Sequence, residues 1–123
     1  MKKRAAGCVL CIGRDLLNLN LRCTLLKEHG WETLSFGNAH DGVFRFAHGD
    51  IGLVVLDLNQ DGSEAALIAS ELKRQSPNVP IVMLVRNQET LAPGATAQAD
   101  AVVLKSEEEL VLPDRVRQLL GSA

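Results

Sequence analysis

Three apolar runs in this 123-residue chain end in groups that could do chemistry together. Val54-Val55-Leu56 runs into Asp57, and Val102-Val103-Leu104 runs into Lys105. Cys8-Val9-Leu10-Cys11-Ile12 runs into Gly13-Arg14-Asp15. A carboxylate at the end of an apolar strand loses water, and a nearby cation offsets that loss. One reading of these residue types is an acid, Asp57, fenced by Arg14 and Lys105 with an ion pair to each; the other leaves Arg14 as a plain surface charge. Asp15 stands one residue beyond Arg14, where an aspartate commonly caps a helix. Asn59, Gln60 and Asp61 continue from Asp57 as a polar loop, in which Asn59 has a backbone oxygen to offer a metal ion.

Other reactive types read as structure. Cys8 and Cys11 form a C-x-x-C, but strand alternation puts them on opposite faces. No second cysteine pair or cysteine–histidine cluster completes a zinc site. With Cys23 they make an odd count without secretory features, which predicts reduced thiols in the core. His29, His40 and His48 are scattered and read as surface or helix-end residues. Trp31 reads as packing, and Phe36, Phe44 and Phe46 as core or boundary residues.

For Asp57, Lys105 and Arg14 to meet, their strands must lie side by side and point the same way. Five short apolar runs are available: Cys8 to Ile12, Thr33 to Phe36, Leu53 to Leu56, Ile81 to Val85, and Ala101 to Leu104. The first, third and fourth are continuously apolar, as in a parallel sheet covered on both faces. Helical segments separate them. Asp15 to His29 has a capping aspartate, leucines at 17, 21 and 25, and Gly30 as a stop. Asp41 to His48 places Val43, Phe44 and Ala47 on one side. Ser63 to Gln75 turns Ala66, Ile68, Ala69 and Leu72 inward. The last helix starts at Glu107 or Pro113 and runs to Leu120. Asn87 to Gln98 carries Pro93-Gly94 in its middle and is expected to be irregular.

Strand–helix alternation implies a parallel sheet with right-handed crossovers and helices on both faces. Reactive groups in such sheets lie beyond the carboxyl ends of the strands, near the point where strand order reverses. Composition limits the functions. A net charge of −2 argues against nucleic acid or a membrane surface as partner, since both need a basic excess. The basic start, Met1-Lys2-Lys3-Arg4, is not followed by an apolar run long enough for a signal peptide or span, which predicts a cytoplasmic location.

With Asp57 ending the third strand and Lys105 the fifth, the chain resembles the receiver domains of bacterial two-component response regulators, over about residues 7 to 120. The resemblance implies one receiver-like domain across 1–123. It has a flavodoxin-like, doubly wound, five-stranded parallel sheet of order 2-1-3-4-5. It implies that Asp57 accepts a phosphoryl group from a histidine kinase and that Lys105 contacts that group. Asp61-Gly62-Ser63-Glu64 and Ser76-Pro77-Asn78-Val79-Pro80 resemble a receiver's third helix and its exit.

Several positions depart from the family. Gly13 and Arg14 stand where receivers carry adjacent acids. Val85 replaces the fourth-strand threonine or serine, and Val102 the fifth-strand aromatic. Ser106 and Asp61 stand where prolines are usual. Mg²⁺ needs several oxygen ligands. Here only Asp57 and Asp15 are available to it, so no metal set is assigned.

The resulting expectation is a signalling module, not an enzyme, degenerate in Mg²⁺ binding and acting through protein–protein contact. Its partners would be a histidine kinase or phosphotransfer protein, or a downstream effector met on the fourth crossover, fifth strand and last helix. The alternative is a receiver still phosphorylated on Asp57. A flavodoxin-like cofactor domain is the third reading, but Gly13-Arg14-Asp15-Leu16-Leu17 is not a phosphate-binding loop.

Overall fold

In a computed structural model, residues 7–58 and 61–121 are described. The basic start, Asn59 and Gln60 lie outside them. The strands are β1 (Cys8–Gly13), β2 (Thr33–Phe36), β3 (Ile51–Asp57), β4 (Ile81–Val85) and β5 (Ala101–Leu104). The helices are α1 (Leu16–Glu28), α2 (Ala39–Phe46), α3 (Ser63–Gln75) and α4 (Glu108–Leu120), with a short 3-10 turn at Lys105–Glu107. All strand pairs are parallel, in the order β2-β1-β3-β4-β5. This is the expected doubly wound 2-1-3-4-5 sheet.

Alternation along the strands divides the core in two. Val9, Cys11, Leu53, Val55, Val82 and Leu84 point toward α1 and α4, meeting Leu19, Cys23, Leu26, Leu112 and Val116. Leu10, Ile12, Val54, Leu56, Ile81 and Met83 point toward α2 and α3, meeting Phe46, Ala65, Ala69 and Leu72. Every residue of β4 is buried, so its unbroken apolar run fits a central strand covered on both faces.

Local signals act where the residues suggest. Asp15 caps α1, accepting from the backbone N–H groups of Leu17 and Asn18 at 3.1 and 3.2 Å. Asn38 caps α2, which therefore begins two residues before Asp41. In residues 87–98, Pro93-Gly94 sits in a series of turns, and no helix forms. Gly62 has φ 77°, and Ala95 and Leu91 lie so close that a Cβ there would sit 2.9 and 3.1 Å from them. A glycine is required on both counts.

Three inward-face readings are corrected. Leu17 and Leu21 face solvent, and the buried stripe of α1 is Leu19, Arg22, Cys23 and Leu26. Phe44 is exposed, while Gly42 and Phe46 form the buried side of α2. On α3, Ala65 is buried and Ala66 is half-buried. The last helix begins at Glu108, and Pro113 lies buried inside it.

Candidate functional site

Asp57 ends β3 and pairs in register with Gly13 at the end of β1. These two strands meet where the chain's winding reverses, the crevice in which open parallel sheets hold their ligands. The Asp57 carboxylate is only 5% exposed, yet both oxygens are engaged. Oδ1 lies 2.7 Å from Lys105 Nζ. Oδ2 accepts from Arg22 Nη2 at 3.0 Å. The expected aspartate–lysine pair is present, but the second cation is Arg22, not Arg14.

Arg22 is 2% exposed and comes from the inward face of α1. Its Nε donates to Glu108 Oε2 and its Nη2 to Glu108 Oε1. Glu108 opens α4, so the guanidinium ties α1, β3 and α4 together at one point. Burial opposes its charge, but Glu108 and then Asp57 outweigh burial and hold its pKa above the ordinary value. Two cations and two carboxylates thus meet in one cluster, whose formal charges cancel.

Gly13 makes room for this arrangement. A Cβ at Gly13 would lie 3.2 Å from the Asp57 carbonyl oxygen and 3.6 Å from Arg22 Nη1. A longer side chain there would run into the guanidinium. The position carries no side chain, and Arg22 fills the space above it.

Arg14 turns the other way. Its Nε and Nη2 donate to Glu64 Oε1 and Oε2 at 3.1 and 2.5 Å, in the first turn of α3. It is 64% exposed, and its residue follows the strand's last register position, so its side chain leaves the crevice. Asp15 is committed to the α1 cap. Val85 ends β4 as a buried apolar residue and offers no hydroxyl. Asn59 lies outside the described residues.

Mg²⁺ asks for an octahedral set of oxygens. Among the described residues no group of three or more histidine, cysteine, aspartate or glutamate side chains could hold a metal ion. Asp57 presents its two oxygens to cations, and the space beside it holds a guanidinium. This donor set does not fit the ion.

Arg22 went unread in the sequence because the leucines at 17, 21 and 25 drew the helix's face instead. The signal was present: Leu19, Arg22, Cys23 and Leu26 follow the i, i+3, i+4, i+7 pattern of an inward stripe. A charge in such a stripe needs a buried partner.

No family model matches the chain, and no curated protein matches it in sequence. Solved structures do. The response regulator TrrA of Thermotoga maritima, in complex with Mg²⁺-BeF, is 23% identical, with a TM-score of 0.82. The match covers 92% of this chain and 98% of that one. TrrA in complex with the histidine kinase ThkA also matches at 23% identity and a TM-score of 0.82, covering 94% and 99%. A CheY-like receiver domain of Methanospirillum hungatei is 18% identical, with a TM-score of 0.80 and 93% of each chain covered. The chain shares the fold of response regulator receiver domains.

Proposed function

We propose that this chain is a receiver module of phosphorelay signalling whose acceptor carboxylate is held by internal cations, so that it works through protein–protein contact without Mg²⁺. The observation that carries this reading is the engagement of both Asp57 oxygens, by Arg22 and by Lys105. The receiver fold and the Asp57–Lys105 pair support the signalling class.

Phosphoryl transfer to a carboxylate is mainly a problem of charge, because donor and acceptor are both anionic. Mg²⁺ ordinarily neutralises the assembly. In this chain Arg22 and Lys105 already balance Asp57 and Glu108, and an added phosphoryl group would leave the cluster anionic. An attacking oxygen of Asp57 must also give up a buried ion pair. Both effects disfavour phosphorylation and favour one fixed conformation.

The module then communicates through its surface, the face built from residues 87–98, β5 and α4. A histidine kinase, a phosphotransfer protein or a downstream effector is the partner class. Among the described residues no helix is long and apolar enough to cross a membrane. A cytoplasmic setting is part of this proposal.

A second reading keeps Asp57 as a working phosphoacceptor, favoured by Lys105 Nζ at 2.7 Å from it. One experiment separates the two. The protein is incubated with Mg²⁺ and acetyl phosphate beside a control receiver, and intact mass is read. An unmodified mass alongside a modified control is the expected result. A phosphoryl adduct on Asp57 would establish the second reading instead.

A further inference from the structure

One carboxylate holds both ends of the turn that joins β5 to α4. Lys105 opens that 3-10 turn, and its Nζ lies 2.7 Å from Asp57 Oδ1. Glu108 follows the turn and is bound by Arg22, whose Nη2 donates to Asp57 Oδ2 at 3.0 Å. The turn is therefore fastened to β3 directly at its start and through Arg22 at its end. Val85 and Val102 carry no polar side-chain atom, which leaves the ion pairs to bring the charge of Asp57 to this surface.

Local bonds hold this junction weakly. Asp15 and Asn38 cap α1 and α2 through their side chains, but neither the 3-10 turn nor α4 has a side-chain cap. Pro113 lies inside α4 and has no N–H for the carbonyl of Glu109, four residues earlier. The helix thus starts uncapped and lacks one bond between its first turn and the next. Leu112 and Val116 seat the following turns in the core. Leu110, 81% exposed, stands on the weakly fastened first turn.

We propose that Asp57 anchors a two-armed clamp on this junction, so that neutralising its carboxylate frees the turn and lets the first turn of α4, with Leu110, shift. As an anion Asp57 serves both cations, one on each oxygen. A neutral acid or carboxamide keeps one good acceptor oxygen and turns an O–H or N–H toward the other cation. One arm then loses its hold. The Lys105 side chain is 30% exposed and turns to water, while buried Arg22 keeps Glu108. The turn stays joined to α1 at its end but is no longer tied to β3 at its start. The clamp exists whether or not Asp57 accepts a phosphoryl group, because it needs the two ion pairs alone.

Amide hydrogen exchange on the full chain, read residue by residue by NMR, tests the clamp. Asp57→Asn should speed exchange at residues 105–112 by at least about tenfold and leave α3 unchanged. Lys105→Met combined with Glu108→Ala removes both arms with Asp57 intact, and it should reproduce that pattern. Glu109→Ala, one residue on and outside the cluster, should leave those rates within about twofold of wild type. Unchanged exchange at residues 105–112 in Asp57→Asn would overturn the proposal. So would an equal rise in α3, which reports general loss of stability, or an equal effect of Glu109→Ala, which reports helix charge alone. If Asp57→Asn does not fold, the two-arm variant decides by the same outcomes.

Discussion

Arg22 Nη2 and Asp57 Oδ2 lie 3.0 Å apart with almost no solvent around either side chain. A charge on the inward face of α1 is thereby matched to a charge at the end of β3. Neither residue could be buried at low cost without the other.

The first prediction follows from that dependence. Arg22→Met leaves the carboxylates of Asp57 and Glu108 without their shared cation. It should lower unfolding stability by about 3–5 kcal/mol, read by urea denaturation. Adding Asp57→Asn should recover part of the loss, because the uncompensated charge is gone. Arg14→Ala serves as the contrast, since Arg14 pairs with Glu64. It should leave the NMR signals around Asp57 unmoved, and a large shift there would reinstate Arg14 in the pocket.

Metal response should depend on the same side chain. The wild-type protein should show no saturable NMR shifts near Asp57 with millimolar Mg²⁺. Arg22→Ala combined with Gly13→Asp removes the guanidinium and adds a second carboxylate beside Asp57, closer to what the ion requires. That variant should bind Mg²⁺ at least about tenfold more tightly than wild type, a gain of about 1.4 kcal/mol. Equal binding by both proteins would show that the cation does not exclude the metal.

Gly42 tests how tightly α2 seats on the sheet. A Cβ there would lie 2.4 Å from Ile12 Cδ1 and 2.7 Å from its Cγ1. Ile12 is fully buried, so it has little room to yield. Gly42→Ala should cost about 1–3 kcal/mol by overpacking. Ile12→Val in the same chain should offset part of that cost, which thermal melts can register.

Asp100 carries the expected pH dependence. Burial pushes its carboxyl up, but the Lys73 ammonium and the Ile81 N–H, each 2.8 Å from Oδ2, outweigh burial. Its folded pKa therefore lies below the ordinary value of 3.8. Such a group contributes stability that is fully present above its unfolded pKa and is lost as pH falls through the lower folded one. Asp100 is partly exposed, so the contribution is small, under about 1 kcal/mol. Wild type should be more stable than Asp100→Asn at neutral pH, and the difference should shrink as acid protonates the carboxyl. A difference that persists at low pH would rule out the ion pair as its source.

Much of the fold was legible because its signals are local. The unbroken apolar runs at Cys8–Ile12, Leu53–Leu56 and Ile81–Val85 call for a sheet covered on both faces. Asp15 before α1 and Pro93-Gly94 in the fourth crossover also act within a few residues of themselves, and each did so here. Helix faces were less legible. The spacing of Leu17, Leu21 and Leu25 fits a helical stripe as well as Leu19, Cys23 and Leu26 does, and spacing alone does not say which stripe meets the sheet.

The amino-acid sequence by itself determined that a lone acid and a lysine would share one end of a parallel sheet, because strand order and chain direction follow from the alternation of elements. It also put Gly13 and Arg14, not carboxylates, directly after the first apolar run. Only the tertiary structure decided which cation closes the pocket. Arg14 is nearer along β1, but its side chain leaves the crevice for Glu64. Arg22 comes from the inward face of α1, where Gly13 leaves room and Asp57 and Glu108 offset the loss of water. Ion pairing of this kind depends on which side chains packing strips of solvent, and that is a property of the assembled layers.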